Sequence, residues 1–216
     1  MARFGIATDR AFGGTSVPAL RAMAKRIGRD HALAAELWAS GIHEARLLAA
    51  MVDDPAQVTE AQMEAWAAEF DSWDVVDGTC SSLFDRTPFA YAKAMEWSGR
   101  NEEFVKRAGF VLMAMLSVHD KAAPDDRFRR FFPLIEAEAG DPRNFVRKAV
   151  NWALRQIGKR NPALNEEAMR VAWRIQATGP RPARWVASDA LRELQSDAVQ
   201  RRLASHSSAP PGRAMA

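Results

Sequence analysis

Two stretches of this sequence repeat one another at a spacing of 41 residues. EEFVKRAGFVLMAM, residues 102–115, aligns with RNFVRKAVNWALRQ, residues 143–156. The alignment puts phenylalanine on phenylalanine, alanine on alanine and a basic pair on a basic pair: Phe104 on Phe145, Ala108 on Ala149, and Lys106-Arg107 on Arg147-Lys148. Spacings of ~40–47 residues are typical of units made from two helices, which bury their apolar faces only by stacking on one another. The repeat therefore predicts a stacked array rather than a globule with a sheet.

The rest of the chain has helical periodicity and no convincing strand. HEARLLAAMV and the two repeat segments carry apolar residues every three or four positions. Several polar residues stand where an N-cap belongs, one residue before a predicted helix: Ser16, Asp30, Thr59, Ser72, Asn101 and Asn161. Pro133 is expected to kink a helix or end it. We predict an all-α, HEAT-like helical-repeat solenoid (an α-α superhelix) with a concave binding face.

The composition agrees with one repeat domain and limits the site chemistry. The chain has 216 residues and a single cysteine, Cys80, so an intramolecular disulfide and a multi-cysteine metal site are excluded. It contains no 18-residue apolar run and no secretory signal, so we expect a monomeric, cytoplasmic protein that does not enter a membrane. The predicted organisation is a lead-in at 1–15, repeats at 16–195 and a disordered polar tail at 196–216.

Charge divides the chain into two unlike parts. Residues 30–80 contain eleven acidic residues and one basic residue, a formal −10. Residues 141–203 contain thirteen basic and six acidic residues, a formal +7. A basic half suits a polyanion such as DNA, although solvated helix faces give the same count.

One short segment, SWDVVD at residues 72–77, combines an aromatic residue with a carboxylate. Trp73 and Asp77 are four residues apart and therefore share one helix face. In the repeat alignment Arg107 corresponds to Lys148, which lies one turn before Trp152. Since equivalent positions line up in a stacked array, we predict that these residues form one aromatic, acidic and basic cluster. The other helical tryptophans, Trp38, Trp66, Trp97, Trp173 and Trp185, are expected in the core.

The sequence resembles a known family through three segments in this order and spacing. SWDVVD, EEFVKRAGFVL and NFVRKAVNWALRQIGKRNP are similar to the AlkD-like DNA alkylation repair proteins, alkylpurine DNA glycosylases built from HEAT-like repeats. The resemblance covers roughly residues 4–195, and the third segment is the most specific. It implies cleavage of the N-glycosidic bond of alkylated, cationic purines, such as 3-methyladenine and 7-methylguanine, in double-stranded DNA. It implies no cofactor and no metal.

The resemblance also assigns roles to individual residues. Trp73 and Asp77 match the family's tryptophan and catalytic aspartate, and Trp152 matches its second aromatic wall. Arg107 matches an arginine that grips the DNA backbone beside the lesion. Longer members carry one or two further N-terminal helices that help to enclose DNA, whereas only about 15 residues precede the first helix predicted here. The sequence therefore leaves catalytic strength and lesion range open.

The residues themselves suit this chemistry. A carboxylate stabilises positive charge that develops on a sugar, and aromatic faces attract cations. Phosphates would be neutralised by cations on the later repeats, for which the candidates are Arg107, Lys148, Arg155, Lys159 and Arg160.

Each candidate also has a purely structural interpretation. Asp77 and Arg107 can simply pair with each other, and Lys159 and Arg160 can complement a helix C-terminus. Two other functions stay open at this point, a HEAT-like scaffold that holds duplex or branched DNA without catalysis and a protein–protein adaptor.

Overall fold

The computed structural model describes residues 11, 13 and 15–207, with the side chains of 206 and 207 left aside. The predicted lead-in at 1–15 lies largely outside these residues. Within the described part of the chain, the regular secondary structure consists of α-helices and one short 3-10 helix, Phe84–Arg86. The α-helices are α1 Val17–Ile27, α2 His31–Ala39, α3 His43–Val52, α4 Glu60–Ala68, α5 Trp73–Ser82, α6 Ala90–Ser98, α7 Glu103–His119, α8 Asp125–Arg129, α9 Phe132–Glu138, α10 Asn144–Gly158, α11 Pro162–Thr178, α12 Arg181–Leu194 and α13 Asp197–Ser207.

The helices form two rows. Helices α3, α5, α7, α10 and α12 pack each on the next, and we call this series the inner row. The outer row consists of α2, α4, α6, α9 and α11, and most of its members pack against an inner helix. The two segments that repeat in sequence are α7 and α10, which lie side by side, with the rings of Phe104 and Phe145 5.7 Å apart. The chain is thus a HEAT-like helical-repeat solenoid, as the 41-residue spacing predicts.

Local sequence sets most of the helix starts. The side-chain oxygens of four predicted N-caps accept a backbone N–H three residues later: Ser16, Asp30, Thr59 and Asn161. Ser72 precedes α5 in an extended conformation but makes no such bond. Pro133 does not interrupt a helix. It lies in the first turn of α9, which begins after α8 has ended at Arg129.

One apolar core runs between the two rows. Trp38 and Trp66 stack at 4.0 Å between ring centroids, and Trp97 is fully buried. The expectation that every remaining tryptophan is in the core is wrong for Trp173 and Trp185, which are 53% and 42% exposed. Helical periodicity does not show that these two faces are only partly covered by neighbouring helices.

The predicted disordered tail is also wrong over part of its length. Residues Asp197–Ser207 form α13, which packs on α11 and α12 and buries Val199 and Leu203. Two apolar residues four apart are a weak signal in a polar sequence, because docking on the last repeat rather than intrinsic propensity stabilises such a helix. Residues 208–216 lie outside the described part. None of the described helices has the length and apolar character needed to span a membrane.

Candidate functional site

Helix α5 presents an indole and a carboxylate one turn apart on the inner row. It begins at Trp73, which is half-buried, directly after the extended Ser72. Asp77 follows four residues later, and its side chain retains 20% exposure. Val75, Val76, Thr79 and Cys80 of the same helix are buried. The apolar side therefore anchors α5 in the core and leaves Trp73 and Asp77 toward the open face.

Arg107 on α7 holds Asp77 by both carboxylate oxygens. Its Nε donates to Oδ1 at 2.9 Å and its Nη2 donates to Oδ2 at 2.8 Å. Nη1 donates to the carbonyl of Phe145 on α10 at 2.7 Å, so one guanidinium links three successive inner helices. The same guanidinium carbon lies 6.0 Å from the centroid of the Trp73 ring. The structure thus brings Trp73, Asp77 and Arg107 into direct contact.

The environment of Asp77 acts on its acidity in two directions. Burial raises the pKa of the Asp77 carboxyl above its ordinary value of 3.8, while the charge of Arg107 and its hydrogen bonds act to lower it. A second carboxylate on the same helix, Asp74, adds to the increase. The bidentate guanidinium still favours the ionised carboxylate at neutral pH, because it supplies a permanent counter-charge and two donors.

Asp74 faces the preceding inner helix instead. Its Oδ2 lies 2.8 Å from Nε2 of His43 on α3, and the His43 side chain is almost fully buried. The hydrogen bond to Asp74 is the main reason that the pKa of His43 is raised, against the effect of its burial. For Asp74, burial alone would raise the pKa, but the bond to His43 brings it below 3.8. The two carboxylates of α5 thus have separate partners in separate repeats.

Trp152 lies in an open cavity that adjoins this cluster. The cavity has a volume of about 360 Å³ and is lined by Arg107, Lys148, Asn151, Trp152, Arg155, Trp185 and Asp189. Arg107 is therefore shared between the Asp77 pair and the cavity wall. The four residues to which the resemblance assigns a role lie on three successive inner helices: Arg107 contacts Asp77 and lies near the Trp73 ring, and it lines the same cavity as Trp152.

The cations of α10 differ in availability. Lys148 is exposed at the cavity edge. Arg155 is half-buried and is paired with Glu193 and, at 3.8 Å, with Asp189 of α12. Lys159 is paired with Glu193 at 2.5 Å. Arg160 is nearly buried and donates to the carbonyls of Ser117, Lys121 and Ala123.

Lys159 and Arg160 do not line the Trp152 cavity. They lie at the C-terminal end of α10 and border a separate cavity of about 200 Å³, together with Lys121 and Arg202. Four basic side chains border this second cavity, but Glu193 and three backbone carbonyls already occupy much of the hydrogen-bonding capacity of Lys159 and Arg160.

Besides buried Asn151, sequence reasoning missed two residues of the Trp152 cavity, Trp185 and Asp189. Both lie on α12 and are spaced like Trp73 and Asp77, so the segment WVASD carries the same spacing as WDVVD. That signal was available in the sequence. Among the described residues no group of three His, Cys, Asp or Glu side chains is arranged to hold a metal ion. Cys80 is fully buried, and burial raises the pKa of its thiol well above the ordinary value, which makes it a poor nucleophile.

Comparison with known proteins gives one family match and two structural matches. Residues 1–194 match the model of a family described as "DNA alkylation repair enzyme". A solved structure of "a new family of proteins related to the HEAT-like repeat DNA glycosylases with affinity for branched DNA structures" superposes with a TM-score of 0.70 at 20% identity, covering 80% of this chain and 74% of that chain. A designed armadillo repeat protein in complex with a (KR)4 peptide gives a TM-score of 0.43 at 12% identity, over 88% of this chain and 80% of its own. No curated protein matches the sequence.

Proposed function

This chain belongs to the DNA alkylation repair enzyme family, and on that premise we propose that it is a monofunctional DNA glycosylase. Its proposed reaction is hydrolysis of the N-glycosidic bond of alkylated, cationic purines of the 3-methyladenine and 7-methylguanine class. Its proposed partner is double-stranded DNA that lies along the inner row. No cofactor enters the proposed reaction.

The charge of such a lesion makes a small open site sufficient. Alkylation at a ring nitrogen gives the purine a positive charge, so the base leaves as a neutral molecule and positive charge develops on the sugar. An enzyme then needs chiefly to stabilise that sugar cation and to place a water against it. An open surface that presents indoles and the Asp77 carboxylate on successive inner helices supplies this without enclosing the base.

Asp77 is proposed as the carboxylate that stabilises the sugar cation and orients the attacking water. Arg107 fixes the position of the carboxylate by two hydrogen bonds, and each oxygen of a carboxylate keeps a further lone pair for another partner. Two of the five N–H groups of the Arg107 guanidinium remain beyond its three bonds. The side chain is only 6% exposed, so the phosphate contact that we assign to these two groups is confined to that small exposed part.

The aromatic and basic neighbours have complementary proposed roles. Trp73 and Trp152 lie on either side of Arg107 along the inner row and would face the deoxyribose and the cationic lesion. Lys148 and Arg155 at the cavity, and Lys159 and Arg160 at the end of α10, would neutralise phosphates further along the strand. Arg155 and Lys159 would exchange part of their pairing with Glu193 for that contact.

One observation carries the proposal. A partly exposed carboxylate, Asp77, is held by both oxygens by an arginine whose guanidinium also lies 6.0 Å from the centroid of the Trp73 indole. A purely structural ion pair does not need a half-buried tryptophan next to it. Carboxylates with raised pKa values and a specific charged partner are enriched at functional sites.

The test is release of 7-methylguanine from methylated duplex DNA by the wild type and by Asp77→Asn. The substitution keeps the shape of the side chain and removes its charge. We expect the single-turnover rate to fall by about 10²-fold or more, the usual loss when one preorganised electrostatic group is removed.

Asp74→Asn is the matched control. It makes the same change on the same helix, but Asp74 faces His43 rather than the cavity, so base release should stay within a few-fold of wild type. Equal loss in both variants, or none in Asp77→Asn, would remove Asp77 from the reaction. Circular dichroism melts of both variants show whether each is folded under the assay conditions.

A non-catalytic DNA-binding scaffold is the second candidate. The bidentate pair itself favours it, since a guanidinium that satisfies both oxygens of Asp77 also serves as a structural link between repeats. The structural neighbour with affinity for branched DNA has a similar fold. A wild type that binds DNA with a steep salt dependence yet releases no 7-methylguanine would identify the scaffold.

A further inference from the structure

A second indole, that of Trp185, lines the Trp152 cavity, and none of the roles proposed above is assigned to it. Trp185 of α12 is 42% exposed although it lies on the inner row, next to the core. The guanidinium carbon of Arg147 lies 5.0 Å from the centroid of its ring. A solvent-exposed tryptophan beside an arginine, in a cavity with a second tryptophan, is a common arrangement in proteins that bind nucleotides by stacking.

Trp185 also belongs to a second copy of the Asp77 arrangement. On α5, Trp73 precedes Asp77 by four residues, and Asp77 pairs with Arg107 of the adjacent inner helix. On α12, Trp185 precedes Asp189 by four residues. Asp189 lies 3.8 Å from Arg155 of the adjacent inner helix α10, a looser contact than the bidentate pair of Asp77, and its hydrogen bond is with Arg192 of its own helix. The side chains of Asp77 and Asp189 are exposed to a similar extent, 20% and 17%. The inner row thus carries two tryptophan–aspartate–arginine sets, one on each side of the α7–α10 pair.

We propose that the cavity between Trp152 and Trp185 binds one unpaired nucleotide of the DNA that lies on the inner row. The proposal rests on the proposed function only in placing DNA on this face. It requires no alkylated base and no cleavage. The binding residues are Trp152 and Trp185 for the base and Lys148 for its phosphate, with Arg155 held in position by Asp189 and Glu193.

The lining indicates this class of occupant. The two indoles offer apolar ring surfaces, which suit a planar base, and the exposed ammonium group of Lys148 suits the attached phosphate, whereas Arg107 is buried and Arg155 is paired with Glu193. The amide Nδ2 of Asn151 is already bonded to the carbonyl of Val186, so this donor does not read a base edge. A volume of about 360 Å³ lies at the lower end of the range for small-molecule sites.

A paired nucleotide does not fit this description. Its base is stacked and hydrogen-bonded inside the duplex, so its rings cannot lie against Trp152 and Trp185 until it has left the helix. A nucleotide that is already unpaired avoids the free energy of unstacking and unpairing. The cavity should therefore distinguish DNA with an unpaired nucleotide from fully paired DNA of the same length.

The experiment compares two unmethylated DNA duplexes, one fully paired and one with a single bulged 2-aminopurine, a fluorescent adenine analogue. Affinity is measured by anisotropy of a terminal dye, and stacking by quenching of the 2-aminopurine emission. The variants are Trp185→Ala, Trp185→Phe and Trp173→Ala. Trp173 is the matched control, because it is a tryptophan of similar exposure, 53%, on the outer helix α11.

We expect Trp185→Ala to weaken binding of the bulged duplex about 5- to 100-fold, the range for loss of one base–aromatic stack, and to change binding of the paired duplex less than about 2-fold. Wild type should quench the 2-aminopurine, Trp185→Phe should retain part of the quenching, and Trp185→Ala should lose most of it. Trp173→Ala should behave as wild type in both measurements.

Two results would overturn the proposal. One is a Trp185→Ala protein, folded by circular dichroism, that binds and quenches the bulged duplex as wild type does. The other is equal weakening for both duplexes, which would make Trp185 a general duplex contact. Both results can be distinguished from failure of the proposed function. If the protein is not a glycosylase, it releases no base; if it does not bind DNA, the wild type binds neither duplex.

Discussion

At the scale of single residues, the Asp77–Arg107 pair sets how the proposed activity should depend on pH. Only the ionised carboxylate stabilises a sugar cation, and burial raises the pKa of Asp77 above its ordinary 3.8. Protonation therefore begins at a higher pH than for an exposed aspartate, and base release should decrease on acidification within the range above about pH 4. Single-turnover release of 7-methylguanine between about pH 4 and 8, corrected for spontaneous depurination, measures this.

The profile for Asp74→Asn should be displaced to lower pH, because the charge of Asp74 contributes to the raised pKa of Asp77. A wild-type profile that stays flat down to about pH 4, or rises on acidification after correction, would contradict the assignment of Asp77 as an essential carboxylate.

The His43–Asp74 pair gives a prediction about stability. The folded-state pKa of His43 lies above its ordinary 6.5 and that of Asp74 below its ordinary 3.8. The contribution of His43 is complete below about pH 6.5 and is lost as pH rises through the raised value; that of Asp74 is lost as pH falls through the lowered value. Asp74→Asn should therefore reduce the free energy of unfolding by about 1.5–3 kcal/mol near pH 6 and by less near pH 9. Urea unfolding at the two pH values tests this, and an equal loss at both would contradict it.

The sequence predicts some members of the candidate site and not others, for identifiable reasons. Trp73 and Asp77 follow from a spacing of four residues on one helix, and the link to Arg107 follows from stacked repeats. The third bond of Arg107, to the carbonyl of Phe145, depends on backbone positions that no side-chain pattern records. Trp185 was assigned to the core because a tryptophan in a helix is usually buried, and only the neighbouring helices decide its exposure.

At the scale of helices, the sequence predicts where a helix begins better than where it ends or which helices it contacts. The N-caps Ser16, Asp30, Thr59 and Asn161 act within four residues of themselves, so local sequence identifies them. Gln62, three residues after Thr59, donates from its side chain to buried Asp53 at 2.7 Å, a contact across the loop that local sequence does not identify. Helix α13 depends on docking against α11 and α12, which its own sequence does not reveal.

The contact between α6 and α7 offers a test of repeat packing. Gly109 is buried in α7, and a Cβ atom placed on it would lie 2.4 Å from the backbone nitrogen of Ser98 in α6. Gly109→Ala gains up to ~1 kcal/mol in helix propensity, but the overlap is with backbone and can be relieved only if the two helices separate. We expect a net loss of about 1–3 kcal/mol in the free energy of unfolding, measured by urea denaturation.

Gly99 supplies the control for this change. It follows α6, has a negative φ of −92°, and a Cβ atom there would meet its nearest neighbour, the Glu96 carbonyl oxygen, at 3.7 Å. Gly99→Ala should therefore leave stability nearly unchanged. If the two variants were equally stable, close approach of α6 and α7 at Gly109 would not contribute to the fold.

At the scale of the whole molecule, the 41-residue repeat predicts the fold class because each unit depends on its neighbours for a core. The repeat does not predict which partners the side chains of the basic half have. Arg155 and Lys159 are paired with Glu193, and Arg160 donates to backbone carbonyls. The formal +7 of residues 141–203 therefore overstates the number of cations that are available to bind phosphate.

The salt dependence of DNA binding measures how many cations do contribute. If DNA lies along the inner row, the logarithm of the association constant should fall linearly with the logarithm of salt concentration, by about 0.9 for each phosphate neutralised. Lys148 is exposed at the cavity edge, so Lys148→Gln should make that slope shallower by about one and weaken binding of all duplex sequences alike. Arg170→Gln removes one positive charge from the outer helix α11, where the side chain is 62% exposed, and should leave the slope as in wild type. Because the two variants have the same net charge, a difference between their slopes reports position rather than overall electrostatics; equal slopes would place the DNA elsewhere than on the inner row.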